Sequence, residues 1–254
     1  MTYFRALHPA RICCGTALLL ALMVFGGVAF ADELKLTSDS MRYDSATGFF
    51  DAEGNVKITR GEMLVTARKA EGNMSSGEIH LVGDVHISGS WEGEEVDVKG
   101  QILSGTLREP RGVSFQGTVR GVWGNRQIDA EDLRMKGNSF SVSTLRRYID
   151  KTEGFSFSCR TIEGKIEDGR ITEFTASGAF SFTTSPPRGM PTRIQGDRAV
   201  YSLARGSLVV TGNVSAVQDG RSLRSESLIY FPKQNRVEAT GSPQLIFKLN
   251  ESKP

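Results

Sequence analysis

Apolar and polar residues alternate along most of this chain, and the alternation is centred on six glycines. At two and four residues to either side of each glycine the residue is apolar, with one exception at Gly121. Because successive side chains of a strand point to opposite faces, this period of two predicts β-strands with one apolar and one mostly polar face. The six glycines are Gly54, Gly83, Gly117, Gly178, Gly212 and Gly241.

Glycine in the middle of a strand predicts a special backbone requirement. It weakens a strand, so its recurrence suggests that the sheet bends sharply there or that another backbone comes close. Six equivalent glycines in one phase therefore predict a curved sheet folded around an apolar interior. Ordinary bulges in a β-sandwich are the alternative, although a sandwich has no reason to repeat one local arrangement along its length.

The spacing of these glycines reveals an internal repeat. Successive intervals are 29, 34, 61, 34 and 29 residues, and an offset of 158 superimposes Asn55 on Asn213 and Tyr43 on Tyr201. Two copies of one module therefore flank a more diverged middle, in which the alternation continues with less regular turn signals. We predict further strands of the same sheet in that middle part.

These features divide the chain into predicted segments. Residues 32–130 form an N-terminal β module, residues 131–192 a diverged middle region with a proline-rich loop, and residues 193–254 a C-terminal β module. The loop is the segment 185–191, whose three prolines cannot donate to a ladder. A short amphipathic helix at 141–148 is a weaker expectation.

The N-terminus predicts export. Two arginines precede an apolar stretch over 15–28, and Ala29 and Ala31 then supply the small residues that a signal peptidase requires. Residues 1–31 are therefore predicted to be a cleavable signal peptide. The apolar run is about fourteen residues long, shorter than the roughly twenty of a membrane-spanning helix, so a retained anchor is the lesser alternative.

The charge balance argues against a polyanionic partner. The full chain has 31 basic and 29 acidic residues, a net charge of +2. Loss of the two arginines in the signal would leave equal numbers, so no net field attracts nucleic acid. With 28 glycines, only 8 prolines and hardly any helical periodicity, the composition predicts an all-β domain.

Candidate catalytic chemistry is sparse. His80 and His86 alternate with inward-pointing residues and are expected on the solvent side of their strand. The nearby carboxylates form no recognised metal-ligand spacing, and the sequence contains no nucleophile elbow, phosphate loop or zinc-protease motif. Cys159 shares the phase of Phe155 and Phe157, which predicts a small buried residue rather than a reactive thiol. No catalytic residue, metal site or cofactor is therefore predicted.

The residues around both copies of the repeat resemble the OstA-like modules of LptA-type periplasmic proteins. The resemblance covers roughly 36–90 and 194–247 and is patchy between them. It is carried by residues 39–43, 52–56 and 67–70 and by their counterparts 197–201, 211–214 and 225–230.

This resemblance implies both a fold and a function. Proteins of this family help to carry lipopolysaccharide from the inner to the outer membrane of Gram-negative bacteria. The implied fold is an elongated β-jellyroll bent into a V, an open-ended stack of strands whose apolar inside receives acyl chains while the sugar stays in water. The implied role is lipid binding in the periplasm during outer-membrane biogenesis, without enzymatic activity.

The apolar faces centred on the glycines are the expected lipid-binding surface. Exposing an acyl chain of about a dozen methylenes to water costs on the order of 10 kcal/mol, so a lipid that crosses an aqueous space needs a continuous apolar trough. Plain core packing is the alternative for any single residue. The predicted lining residues are Phe50, Val56, Ile58, Leu81, Val85, Ile87, Phe115, Phe174, Phe180, Phe182, Val210, Val214 and Leu245.

The ends of an open sheet predict partners. Unpaired edge strands can pair with another copy or with neighbouring transport components. We expect such contacts at the first strand, near 36–43, and at the last, near 244–249; a head-to-tail contact that does not close builds a filament. The alternative is that Lys248 and Lys253 are gatekeepers that blunt the last edge.

Two other classes of function stay open on the sequence alone. One is a structural or adhesive β-solenoid of the cell envelope, and the other is a carbohydrate-active enzyme built on a β-helix. A solenoid should show one constant period, which the glycine intervals lack. An enzyme should show carboxylates clustered on one exposed strand face, and none is evident.

Overall fold

The chain forms one antiparallel sheet. The computed structural model describes residues 33–91, 93–106, 112–167, 170–184, 191–234 and 236–246. Within these ranges there are sixteen strands and a single turn of 3-10 helix, Pro232–Gln234. The predicted all-β class is therefore confirmed.

The strands follow one another with short connections. Their bounds are β1 Lys35–Thr37, β2 Ser40–Tyr43, β3 Phe49–Arg60, β4 Met63–Asn73, β5 Glu78–Trp91, β6 Glu94–Thr106, β7 Gly112–Trp123, β8 Arg126–Lys136, β9 Ser139–Asp150, β10 Phe155–Glu167, β11 Arg170–Thr184, β12 Thr192–Ser202, β13 Ser207–Gln218, β14 Arg221–Phe231, β15 Arg236–Thr240 and β16 Gln244–Ile246.

The topology is an open meander. From β3 to β14 each strand pairs antiparallel with its neighbours in the chain. At one end β1 and β2 both pair with β3, and at the other end β15 and β16 both pair with β14. Each terminal pair is therefore one long strand interrupted in the middle. Antiparallel pairing throughout distinguishes this sheet from the parallel coils of a β-solenoid.

A line of register shifts crosses the sheet. Every pairing from β3/β4 to β13/β14 changes register near its middle, as between Glu53 and Val56 in the first of them. Such bulges bend strands locally. We call this line the crease, because it divides each strand into two segments.

The two sets of segments form two half-sheets. Half-sheet A contains residues 40–43, 49–53, 69–73, 78–82, 102–106, 112–116, 132–136, 139–143, 161–167, 170–177, 198–202, 207–211, 227–231 and 236–240. Half-sheet B contains residues 35–37, 56–60, 63–66, 85–91, 94–99, 119–123, 126–129, 145–150, 155–158, 180–184, 192–195, 214–218, 221–225 and 244–246.

The six glycines lie on the crease, as predicted. All six have φ between 74° and 83°, a left-handed backbone region that favours glycine. A residue that also has positive φ follows each of them, for example Asn55 at 46° and Asn213 at 48°. Thr144 in β9 has a φ of 46° at the equivalent place, within the long interval of 61 residues. The crease therefore continues through β9, where no glycine marks it.

The inner faces of the half-sheets bury the core. The alternation of apolar and polar residues appears as alternating burial along the strands, and the buried side chains form one continuous cluster. Contacts between rings join the two half-sheets: Phe157 of B lies 5.9 Å from Phe174 of A, and Phe182 of B lies 6.0 Å from Tyr230 of A. The apolar interior is therefore enclosed between A and B.

The structure agrees with one further expectation from the sequence and contradicts another. The described part of the diverged middle, residues 131–192, consists of strands of the same sheet from the end of β8 to the start of β12, as predicted. The short helix expected at 141–148 is wrong, because these residues lie within β9 and pair with both neighbours. The signal peptide at 1–31 and most of the proline-rich loop lie outside the described residues. In the described part of the chain no helix has the length and hydropathy needed to cross a membrane.

Candidate functional site

The predicted lining residues all belong to the inner face. Eleven of the thirteen are buried, Phe182 is half-buried, and Leu245 is 62% exposed at the last strand. The eleven buried residues are Phe50, Val56, Ile58, Leu81, Val85, Ile87, Phe115, Phe174, Phe180, Val210 and Val214. The structure therefore brings the predicted surface together along the whole length of the interior.

The interior is closed over much of this length by its own side chains. Leu81, Val85 and Val210 have no measurable exposure, and the inner glycines allow rings to lie close to the backbone. A Cβ at Gly72 would lie 2.7 Å from Phe50 Cε1, and one at Gly164 would lie 2.8 Å from the Phe140 ring. An acyl chain can enter the middle of this interior only if half-sheets A and B move apart.

Both ends of the interior expose apolar side chains. Met41 and Tyr43 lie opposite Ala52 and Phe50 on the inner row, yet they are 46% and 60% exposed. At the other end, Leu245 occupies the inner row opposite Leu223. Burial of these side chains would stabilise any contact that continues the apolar row beyond β1/β2 or β15/β16.

The lining changes character along the sheet. Aliphatic side chains such as Val56, Leu81 and Ile87 dominate around β3 to β5. Around β9 to β14 an aromatic cluster connects the half-sheets. The ring of each member lies within 6.2 Å of at least one other; the members are Tyr148, Phe155, Phe157, Phe174, Tyr201, Phe182 and Tyr230.

A charged cluster interrupts the apolar row at the rim of half-sheet B. The Nε of Arg126 donates to Asp150 Oδ2 at 3.3 Å, and its Nη1 donates to Glu94 Oε2 at 3.3 Å. Asp150 is fully buried, and its Oδ1 accepts from the backbone N–H groups of Thr152 and Glu153. Buried charges need this degree of compensation, because transfer from water is costly.

Trp123 lies next to this cluster. It is the last residue of β7, pairs directly with Arg126 and is 4% exposed. The Arg126 guanidinium carbon lies 5.5 Å from the centre of the indole ring, within range of a cation–π interaction. Among the described residues, no group accepts a hydrogen bond from its Nε1.

Two clefts with both polar and apolar linings lie on the outer face of half-sheet A. One of about 970 Å³ runs from Phe49 to Lys136, and another of about 680 Å³ runs from Arg134 to Arg205; outward-facing residues supply most of both linings. His80 lies in the first cleft, where its Nδ1 is 2.7 Å from Ser104 Oγ. The outward position expected for His80 is confirmed.

Burial and hydrogen bonds shift the pKa of several titratable groups in the described ranges. Burial raises the pKa of the Cys159 thiol to about 12, consistent with the expected unreactive residue. Burial also raises the pKa of Tyr230, whereas a hydrogen bond to Asp51 raises the pKa of the exposed Lys69. Within the described residues, no group of three or more His, Cys, Asp or Glu side chains could hold a metal ion.

Comparison with protein families assigns the chain. The family described as LptA/(LptD N-terminal domain) LPS transport protein matches residues 103–236, which is more than half of the chain. The chain belongs to this family of lipopolysaccharide transport proteins. A second family, described as lipopolysaccharide-assembly, LptC-related, matches residues 29–89.

Comparisons with individual proteins add little to this family assignment. The solved structure of LptH, the LptA homologous periplasmic component of the lipopolysaccharide transport device from Pseudomonas aeruginosa, aligns with 86% of this chain and 96% of its own. The identity is 11% and the TM-score 0.30, too low to support any argument. No curated protein matches the sequence.

Sequence reasoning missed the charged cluster of this family member. Arg126 lies two residues before Ile128, and Asp150 lies two residues after Tyr148, so both are in phase with the inner face. This spacing of two residues from inner-face positions could have predicted that both charged side chains point inward. It was overlooked because charged residues in an otherwise alternating pattern are normally assigned to solvent.

Proposed function

We propose that this chain binds lipopolysaccharide in the periplasm and carries it between the inner and outer membranes, with the acyl chains held between half-sheets A and B. The observation that supports the proposal best is the unbroken apolar cluster from β3 to β14, with exposed apolar side chains at both ends. The transport family to which the chain belongs supports the nature of the cargo.

Energetics favour such an interior as a path for lipid. Each methylene kept from water is worth about 0.8 kcal/mol, so an acyl chain of about a dozen methylenes gains on the order of 10 kcal/mol in an apolar trough. Parting the half-sheets has to cost less than this amount. The sugar stays in water at the rims, where polar side chains begin.

The two exposed edges supply the contacts for continuous transfer. We propose that β1/β2 and β15/β16 pair with other transport components or with further copies of this chain, head to tail. The side chains of Met41, Tyr43 and Leu245 would then be covered, and the inner rows of neighbours would join. Export by a cleaved signal peptide at 1–31 is part of the same proposal.

Crosslinking in cells tests the proposal. A photoreactive amino acid in place of Val56 or Phe180, both on the inner face, should capture lipopolysaccharide. The matched control is Lys57, the outward-facing neighbour of Val56, which should capture none. Equal capture at Val56 and Lys57, or capture at neither, would refute an internal path for the acyl chains.

Crosslinking between the ends tests the pairing of edges. Photoreactive groups at Tyr43 and Leu245 should give adducts with a second copy or with another transport component. Adducts that form at Lys57 with equal yield would show random collision. The absence of adducts at both ends would leave the chain as a monomeric carrier and refute the bridge.

A further inference from the structure

The rim of half-sheet B carries hydrogen-bond donors at the edge of the apolar interior. Trp123 and Arg126 face each other across the β7/β8 hairpin, on the same row as the buried core residues Val119 and Ala130. The apolar row ends here, and the hairpin turn begins. An amphiphile whose chains lie between the half-sheets would therefore have its linker between chain and sugar at this rim.

Trp123 holds an N–H for which the described part of the chain supplies no acceptor. Buried polar groups are nearly always hydrogen-bonded, so an unpaired donor needs an explanation. The indole is 4% exposed, and its Nε1 has no acceptor among the residues that the structure describes. Water cannot supply the acceptor freely at a site so enclosed. An acceptor that arrives with a ligand would remove this deficit.

The net charge of the cluster formed by Arg126, Asp150 and Glu94 determines which hydrogen-bond acceptor is favourable beside Trp123. Arg126 contributes one positive charge, and Asp150 and Glu94 contribute two negative charges within hydrogen-bond distance of it. The cluster is therefore net negative when all three are ionised, and it disfavours a phosphate or carboxylate. A neutral carbonyl oxygen accepts a hydrogen bond without adding charge, so it fits the cluster better.

We propose that Trp123 and Arg126 form a subsite for the ester or amide carbonyl that joins an acyl chain to the sugar of the bound amphiphile. The indole Nε1 donates to the carbonyl oxygen. Arg126 holds the ring through its cation–π contact, while Asp150 and Glu94 fix the guanidinium. The subsite rests on the proposed function, because the carbonyl reaches it only when acyl chains separate the half-sheets.

Two amphiphiles with the same chain length test the subsite. N-dodecanoylglucosamine carries an amide carbonyl at the junction, whereas dodecyl glucoside has an ether-type linkage and no carbonyl. Replacement of Trp123 by Phe keeps an aromatic ring and removes the N–H. Trp123→Phe should weaken binding of the amide amphiphile about fivefold more than binding of the glucoside, as expected for one lost hydrogen bond.

The indole N–H also gives a direct readout that needs no substitution at the site. The chain contains two tryptophans, so Trp91→Phe leaves Trp123 as the single source of an indole NMR signal. This signal should move downfield with the amide amphiphile and much less with the glucoside. Equal responses to both amphiphiles would overturn the subsite while leaving the proposed transport function intact.

The position of the indole N–H signal in the free protein gives a further distinction. In Trp91→Phe, the Trp123 N–H should give an upfield signal before any amphiphile is added, as expected for a donor without an acceptor. A downfield signal in the free protein would show that the N–H has a partner within the protein, and it would overturn the subsite. If neither amphiphile binds to the parent protein, the proposed function fails and the subsite fails with it.

Discussion

Asn213 donates a hydrogen bond from Nδ2 to Asp197 Oδ2 at 2.8 Å, which joins β13 to β12 at the crease. The same bond joins Asn55 to Asp39 at 2.9 Å, 158 residues earlier. In both places the asparagine follows a crease glycine and has positive φ. Asparagine tolerates this backbone region because its short polar side chain bonds locally. Both copies of the sequence repeat therefore contain the same hydrogen bond, which holds neighbouring strands together at the bend.

Substitution of a crease glycine should destabilise the fold more than substitution of a turn glycine. A Cβ at Gly212 would lie 2.5 Å from Asp197 Oδ2 and 2.9 Å from its Cβ, at a φ of +77°. Gly220 has a φ of +71° but open space around it. We expect Gly212→Ala to lower the free energy of unfolding by about 2–3 kcal/mol and Gly220→Ala by about 1 kcal/mol, measured by urea denaturation. Equal losses would show that the close approach is unimportant.

Removal of one member of the buried ion pair should strongly destabilise the folded protein. Among the described carboxylates, Asp150→Ala leaves the buried Arg126 guanidinium with Glu94 alone, and we expect a loss of about 3–5 kcal/mol in the free energy of unfolding. The double variant Arg126→Met/Asp150→Ala should recover part of this loss, because both buried charges are gone and the Glu94 side chain, 42% exposed, is solvated. Failure of the double variant to recover any stability would contradict this explanation.

A surface pair provides the control for that experiment. Arg236 and Glu238 form an ion pair at 3.1 Å with about half of each side chain exposed. Solvent screens such pairs, so Glu238→Gln should leave the unfolding midpoint almost unchanged.

The aromatic cluster should couple half-sheets A and B energetically. Phe157 and Phe174 stack at 5.9 Å with an interplanar angle of 13°. In a double-mutant cycle with Phe→Leu at each position, the coupling should be about 0.5–1.5 kcal/mol. The control cycle pairs Phe157 with Phe50, which lies seven strands away and should show additive effects. Coupling of similar size in both cycles would refute a local bridge.

The buried thiol predicts a loss of stability in alkaline solution. The pKa of Cys159 is raised from 9.0 to about 12, so above pH 9 the unfolded chain releases a proton that the folded chain retains. Stability should therefore fall as pH rises above 9, by up to about 1.4 kcal/mol per pH unit from this group. Urea denaturation of the parent and of Cys159→Ala isolates the effect, since other groups titrate in both. Parallel pH profiles would contradict it.

The crease could be predicted because its cause is local. A left-handed backbone position is expensive for most residues, so glycine marks Gly54, Gly83 and the other bends in the sequence itself. The bend at Thr144 was missed because a threonine occupies the strained position. Tertiary pairing on both sides of β9 imposes that conformation, and no local signal records it.

Whether side chains fill the interior depends on contacts between residues that are far apart in the sequence, so it could not be predicted from local pattern. Alternation placed Phe157 and Phe174 on the inner face, but it carries no information about the distance between half-sheets. The contact between these rings closes the aromatic part of the interior. Likewise, the sequence places Arg126 in phase with the inner face, but it does not show that Asp150 lies opposite and can neutralise its charge. Only the register between β8 and β9 shows this.

Because each strand pairs only with its neighbours in the chain, the number of hairpins sets the length of the described sheet. Sixteen strands, with β1/β2 and β15/β16 each counted as one interrupted strand, give fourteen lines of backbone. At about 4.8 Å between strands, these lines span roughly 62 Å before twist is considered. Because none of the described strands crosses over another, inserting or deleting one hairpin would change this length by about 10 Å without altering any other pairing. Under the proposed bridging role, duplication of hairpins alone could therefore match the length of the protein to the distance between the membranes.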